Sequence, residues 1–516
     1  MSRPGTGPAA GRRLRHYRAA VGVPGRLRVA AARPGAAAAL LTTAVLVAVS
    51  GRYGYHRDEL YFLACGRHLG WGYPDQPPGV PLIARAMSAI SPTSVVVLRL
   101  PSALAAGLVV LLAAAITRTL GGDPTAQRLA AFGTAVGGFV LGAGHLLSTS
   151  TFNLLVWTVV LWLVVRMLRD GDAKLWLPIG LVAGVGMQLN VQVAFLLVAL
   201  VTGLLAVGPR SLFRSPWPYA GGAVAALIAA PYLIWQAQHG WPQLTLARDI
   251  AKGGSGSSAP RWAILPEQLG LGGPWLAPVW IAGLVWLVRG EAGRRYRAIA
   301  VAWGVLLVLF EISGGKPYYL AALLPALLAT GAVPSVAWMR RGPRPHVRPR
   351  LLVAAVLLCL PGLVIALPVL PIGALRSSGA VSANYDLGET VGWPRFVDQI
   401  AAAYRTLPDP SHSVIVTGNY GEAGAIDRYG PARGLPHAYS VHNAYWLWGP
   451  PPPTATTVMT LGLSDTSRAL LCPRATPLVH LDNGRGIGND EQHRTVYTCT
   501  PSRPWSALWP ELKNYG

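Results

Sequence analysis

Long apolar runs recur between residues 36 and 370, and each approaches the ~20 residues that an α-helix needs to cross a bilayer. With 52% hydrophobic and only 13% charged residues, the chain lies outside the range of soluble proteins of its length. Spans are expected over residues 34–52, 95–117, 128–147, 153–168, 174–189, 191–208, 217–236, 270–289, 297–313, 318–338 and 350–370. That predicts a polytopic α-helical membrane protein of about eleven helices. From residue 371 onward the composition is mixed and can fold in water, so the chain divides into a basic segment 1–33, a membrane domain 34–370 and a C-terminal domain 371–516.

The net charge of +23 first suggests a nucleic-acid binder. Its distribution argues otherwise. The C-terminal domain holds 11 basic and 11 acidic residues, so the whole excess belongs to the first 370 residues. There the bases gather before the first run and in alternate loops: Arg118 with Arg128, Arg166 with Arg169 and Lys174, Arg210 with Arg214, Arg289 to Arg297, and Arg340 to Arg350. This pattern marks cytoplasmic loops, so no nucleic acid is expected as a partner. The N-terminus should be cytoplasmic in the cell membrane, and an odd number of spans puts the neutral C-terminal domain outside.

Polar chemistry is therefore expected on the outer side, in the loops 53–92 and 239–268 and in the C-terminal domain. In that domain, residues 413–417 and 457–461 read as strands, and 396–405 and 422–429 as short helices, giving a small α/β unit. Cys472 and Cys499 both fall there, where oxidation is allowed, and are expected to pair. No cysteine or histidine cluster points to a metal site.

Acids on the outer side of the membrane half are few. Asp58 and Glu59 follow the first span within a few residues, at a depth where a carboxylate stays ionised more readily than at the bilayer centre. Such a pair suits a general base or a metal ligand, although a solvated turn would carry the same residues. Trp71-Gly72-Tyr73-Pro74-Asp75-Gln76-Pro77-Pro78 fixes a carboxylate and an amide among interfacial aromatics. Ser313-Gly314-Gly315-Lys316-Pro317-Tyr318-Tyr319 sets one of only four lysines on a Gly-Gly bend, which suits a phosphate. Lys252 and the glycine–serine run after it lack the order of a nucleotide loop and read as a lid or a linker.

Together, Tyr55-His56-Arg57-Asp58-Glu59-Leu60-Tyr61-Phe62, Asp75-Gln76-Pro77-Pro78 and Gly315-Lys316-Pro317-Tyr318-Tyr319 resemble the family 39 glycosyltransferases of the GT-C fold, which include protein O-mannosyltransferases and lipid A aminoarabinose transferases. Gln236 to Pro242 and Asn419 to Gly430 extend the likeness over almost the whole chain. The resemblance implies an inverting enzyme that moves a sugar from a polyprenyl-phosphate carrier to an acceptor hydroxyl on a protein, lipid or polysaccharide outside the cytoplasm. It implies Asp58 as the catalytic carboxylate with Glu59 beside it. Arg57, Asp75, Gln76, Arg261, Lys316, Tyr318 and Tyr319 become candidates for donor binding, with the prenyl tail among membrane lipids. Gln76 stands where relatives have a lysine, and Asn153 where many have an acid. Both departures argue against metal ligands, while leaving room for a divalent cation. A transporter or lipid flippase, and an inactive relative that binds envelope glycan, are the competing readings.

Overall fold

The structure is a computed structural model that describes residues 34–253, 259–341 and 346–515. The basic segment 1–33 and most of the glycine–serine run after Lys252 lie outside the described residues. All eleven apolar stretches contain helix. Among the described residues, five helices are long and apolar enough to cross a membrane singly: Val95–Thr119, Thr149–Asp170, Trp217–Gln238, Arg294–Ser313 and Val347–Ala366. Arg261–Gly272 and Pro274–Arg289 form a sixth candidate, bent by 95° at Gly273. The stretch expected as one span over 128–147 is instead two helices, Pro124–Ala135 and Gly138–His145, separated around Gly137.

Val95–Thr119 starts at Ser94, whose hydroxyl accepts from the Val97 amide, and packs against Ala36–Val49, Pro124–Ala135 and Thr149–Asp170. Small residues let other helices touch at the backbone. A Cβ on Gly180 would lie 2.0 Å from the Gly221 carbonyl oxygen, so Trp176–Met187 and Trp217–Gln238 meet there without side chains between them. The loops 53–92 and 239–268 are not irregular. The first holds helices Arg57–Arg67 and Gly79–Ile90, and the second holds Pro242–Ala251.

The C-terminal part contains a five-stranded sheet of β1 (Ser413–Thr417), β2 (Ala438–Ser440), β3 (Thr457–Leu461), β4 (Thr476–His480) and β5 (Thr495–Cys499), in the order β2-β1-β3-β5-β4. β1 runs parallel to β2 and β3, and β5 is antiparallel to β3 and β4. Every residue of β1 is buried, as expected for the centre of a parallel arrangement covered on both faces. Cys472 and Cys499 are joined, with Cα atoms 5.6 Å apart, tying the end of helix Asp465–Leu471 to β5. The chain leaves β1 toward β2 on one side and later returns to place β3 on the other. That reversal makes the carboxyl ends of β1 and β3 a crevice suited to ligands.

The loop 53–92 and the C-terminal sheet share one core. Leu60, Tyr61 and Phe62 are buried in the same cluster as Phe396, Ile415 and Ile426. Helix Arg57–Arg67 lies against helix Tyr420–Tyr429 so closely that a Cβ on Gly424 would meet the Leu60 Cβ at 2.9 Å. This contact fixes the start of the first loop helix beside the crevice.

Candidate active site

The site begins at the N-terminus of helix Arg57–Arg67. His56 caps it: its Nδ1 accepts from the Asp58 amide, while the Glu59 carboxylate accepts from the His56 amide at 2.8 Å. Glu59 is fully buried. Its oxygens also accept from Arg99 Nε at 2.8 Å, Arg99 Nη2 at 2.7 Å and the Leu147 amide at 3.0 Å. Arg99 in turn donates to the carbonyls of Ser50 and Gly54. Glu59 thus spends its capacity pinning the loop to the membrane bundle, and it faces away from the cavity described below.

Asp58 points elsewhere, as neighbouring helical positions must. Its side chain is 38% exposed, and Oδ1 accepts from the Tyr420 hydroxyl at 2.8 Å. Arg57 lies against the C-terminal half, donating to the Tyr385 hydroxyl at 2.9 Å and to Asp490, with Glu389 at 3.7 Å. Lys316 follows Gly314 and Gly315, where Gly314 ends helix Arg297–Ser313 in the left-handed region at φ +65°. The bend is held by Gln268, which donates to the Pro317 carbonyl at 2.9 Å. Burial lowers the Lys316 pKa, and the nearby charges of Asp58 and Asp386 oppose that shift.

A second tyrosine–carboxylate pair stands beside the first. Tyr61 donates to Asp75 Oδ1 at 2.7 Å, and its ring stacks on Tyr420 with centroids 4.3 Å apart. Burial pushes the Asp75 carboxyl up to about 7, although the Tyr61 hydrogen bond acts the other way. Tyr420 stacks in turn on His442, whose pKa burial lowers to about 3, so its imidazole is neutral.

These groups surround a cavity of about 660 Å³ between the membrane bundle and the sheet. Arg57, Asp75, Gln76, Lys316, Tyr318 and Tyr319 line it from the membrane half. Gly418 and Asn419 after β1, and Gly462 after β3, line it from the crevice between the strands. Apolar side chains, among them Phe195, Leu233, Leu244 and Phe310, form a further wall. Arg261 is exposed in the turn Arg261–Ala263 and does not line the cavity. Asp58 reaches it through Tyr420. Among the described residues no group of three or more His, Cys, Asp or Glu side chains is placed to hold a metal ion.

Residues that sequence reasoning did not single out complete the site. Arg99 is an arginine inside an otherwise apolar run, a costly placement that signals a buried partner. Tyr420 and Glu422 lie within a motif already noted, but His442 and Asn443, at the start of helix Asn443–Leu447, and Asp490 and Glu491, in a loop, carry no local signal. Only the fold brings them to the cavity.

The description "dolichyl-phosphate-mannose-protein mannosyltransferase" belongs to the family that matches residues 75–235. The chain is 32% identical over 257 residues to undecaprenyl phosphate-alpha-4-amino-4-deoxy-L-arabinose arabinosyl transferase 1 of Pseudomonas fluorescens, a match covering 45% of each protein. The structure of ArnT from Cupriavidus metallidurans bound to undecaprenyl phosphate superimposes with a TM-score of 0.58 at 16% identity, covering 91% of this chain and 98% of that one. Its apo state gives the same TM-score, with coverage of 92% and 98%. These likenesses define a membrane protein of the GT-C fold. Within that class the chain is similar to ArnT and to the mannosyltransferase family over part of its length, and it spans less than half the length of the Pseudomonas enzyme it matches.

Proposed function

We propose that the chain is an inverting glycosyltransferase that takes a sugar from a polyprenyl-phosphate carrier and places it on an acceptor hydroxyl outside the cytoplasm. The observation that carries this reading is the meeting of Arg57 and Lys316 at one cavity with a polar wall and an apolar wall, to which Asp58 is joined by the Tyr420 hydroxyl. The apolar wall suits a prenyl chain. The cations suit its phosphate, a leaving group that departs without a proton but is stabilised by positive charge.

In this mechanism the acceptor oxygen attacks the anomeric carbon from the face opposite the phosphate. The new C–O bond forms as the bond to the phosphate oxygen breaks, and the electron pair leaves on the phosphate beside Lys316 and Arg57. The hydroxyl proton passes to Asp58, oriented by Tyr420. Glu59 acts as a positioning residue. No step in this mechanism needs a metal.

The alternating basic loops support eleven crossings, a cytoplasmic N-terminus and an extracytoplasmic domain over residues 371–516. A transporter would place ionisable groups near the bilayer midplane, whereas the acids here sit on outer loops. Purified Asp58→Asn protein should keep donor binding and lose ~10²- to 10⁴-fold in turnover. Lys316→Ala should weaken donor use more than acceptor use, with Lys316→Arg a partial rescue because only the charge is retained. Near wild-type turnover of the Asn variant would remove the base assignment.

A further inference from the structure

The sheet of the C-terminal part opens at one end. β3 and β5 stop pairing at Thr460 and Tyr497, and the chains beyond them part around a second cavity of about 200 Å³. Gly462 turns away from β3 at φ +70°, in the left-handed region that favours glycine. On the other side His493 sits at φ +66°, where a residue with a side chain is uncommon. These two turns leave the loop before β5 facing the end of β3.

The lining of this cavity carries one sign of charge. Arg468, His493 and Arg494 line it, and among the described residues no acidic side chain does. The Arg468 guanidinium lies over the Tyr497 ring, 4.6 Å from its centroid, which holds the cation against the sheet. Its carboxylate partner, Asp465 at 2.8 Å, is 91% exposed, so solvent weakens that pair. Arg494 donates through Nε to the Asp490 carbonyl at 2.8 Å, a contact that leaves its charge unneutralised. The nearby Glu422 carboxylate is engaged on the side of the larger cavity, where it accepts from the Asn419 amide at 3.0 Å. Thr460, opposite Tyr497 and so on the same face, adds a buried hydroxyl without a partner. Guanidinium, imidazole and hydroxyl all donate hydrogen bonds, and a compact oxyanion accepts several at once.

Position narrows the ligand further. Gly462 and Arg494 line both this cavity and the larger one, so the two adjoin. The apolar wall that suits a prenyl chain belongs to the membrane half, whereas the second cavity lies wholly within the C-terminal part. A lipid tail has no comparable wall there. An extended peptide has no strand edge to join, because β3 and β5 each pair on both sides. A water-borne glycan needs neither.

We propose that the second cavity is an acceptor subsite: it holds a carboxylate or phosphate substituent of an acidic glycan, apart from the hydroxyl that reacts in the larger cavity. The proposal rests on the transferase reading above and deepens it by naming the class of acceptor.

The full chain in lipid nanodiscs, first saturated with undecaprenyl phosphate to occupy Arg57 and Lys316, should be titrated at low ionic strength with glucuronate, glucose 6-phosphate, glucose, inorganic phosphate and tetraglutamate. At least one acidic sugar is expected to bind about ten-fold or more tightly than glucose, as a charge-assisted contact would give. The tighter of the two identifies the substituent. Arg468→Gln combined with His493→Gln should erase that preference, and Arg468→Lys should keep most of it because the charge remains. Undecaprenyl phosphate binding should change by less than about two-fold in each variant, since the substitutions lie outside the larger cavity. No preference for either acidic sugar, or a preference that survives the double variant, would overturn the proposal while carrier binding stands. Inorganic phosphate binding as tightly as both acidic sugars would show an adventitious ion only, and tighter binding of tetraglutamate would give the cavity to a peptide; either result overturns the glycan assignment. Failure of undecaprenyl phosphate to bind the wild type would overturn the donor reading, and the sugar preference in the double variant would still decide whether the cavity takes an oxyanion.

Discussion

At the scale of single residues, two carboxylates that look alike in the sequence are set apart by their surroundings. Asp58 takes a hydrogen bond at the edge of the cavity, whereas Asp75 is enclosed and raised to about 7. A carboxyl whose folded pKa lies above its unfolded value of about 4 holds its proton more tightly when folded. Its contribution to stability is therefore complete below about pH 4 and is lost as pH rises through about 7. Asp75→Asn keeps an acceptor for Tyr61 but cannot ionise. Its melting temperature relative to the wild type should climb between about pH 4 and pH 7 and stay level above that, as followed by thermal unfolding in detergent. A constant difference across that window would show that Asp75 ionises normally. Asp58 and Lys316 were legible in the sequence because each lies in a short motif at the end of an apolar run, and Asp75 because it stands between interfacial aromatics and a Pro-Pro step. Tyr420 was not, since its role depends on a hydroxyl meeting a carboxylate across the fold, and no local pattern encodes that pairing.

At the scale of elements, helix Arg57–Arg67 is anchored by a fully buried ion pair. Removing one partner of such a pair strands the other, at a cost of about 3–5 kcal/mol. Arg99→Leu should therefore lower the melting temperature sharply and reduce the yield of folded protein. Glu59→Gln, which still accepts from the His56 and Leu147 amides, should be the milder change. Similar melting for Arg99→Leu and the wild type would show that the pair does not hold the helix. The strands differed in legibility for comparable reasons. β1 and β3 are five-residue runs rich in β-branched residues, and their bounds were readable from the sequence. β2 has three residues, and β4 is a half-exposed edge strand containing Pro477, a residue tolerated at edges but read as a strand breaker. The stretch expected as a single helix over 128–147 is two helices because Gly137 and Gly138 allow a break that mean apolarity does not register.

At the scale of the whole molecule, the arrangement of basic loops makes a directional claim. A phosphatase reporter fused after the C-terminal domain should be active, since that enzyme folds only outside the cytoplasm, and a fluorescent protein that matures only in the cytoplasm should stay dark. The reverse pattern would invert the proposed topology. The core shared by the first outer loop and the C-terminal sheet also has a consequence for how the protein is made. Helix Arg57–Arg67 emerges early from the ribosome, yet the helix it packs against, Tyr420–Tyr429, is translated some 360 residues later, roughly 20–70 s at ordinary elongation rates. During that interval Tyr61 and Phe62 lack the partners that bury them. A nascent or truncated chain thus holds Arg57 and Asp58 without the surface that aligns them, and competence should arrive in one step, when the last-made portion docks.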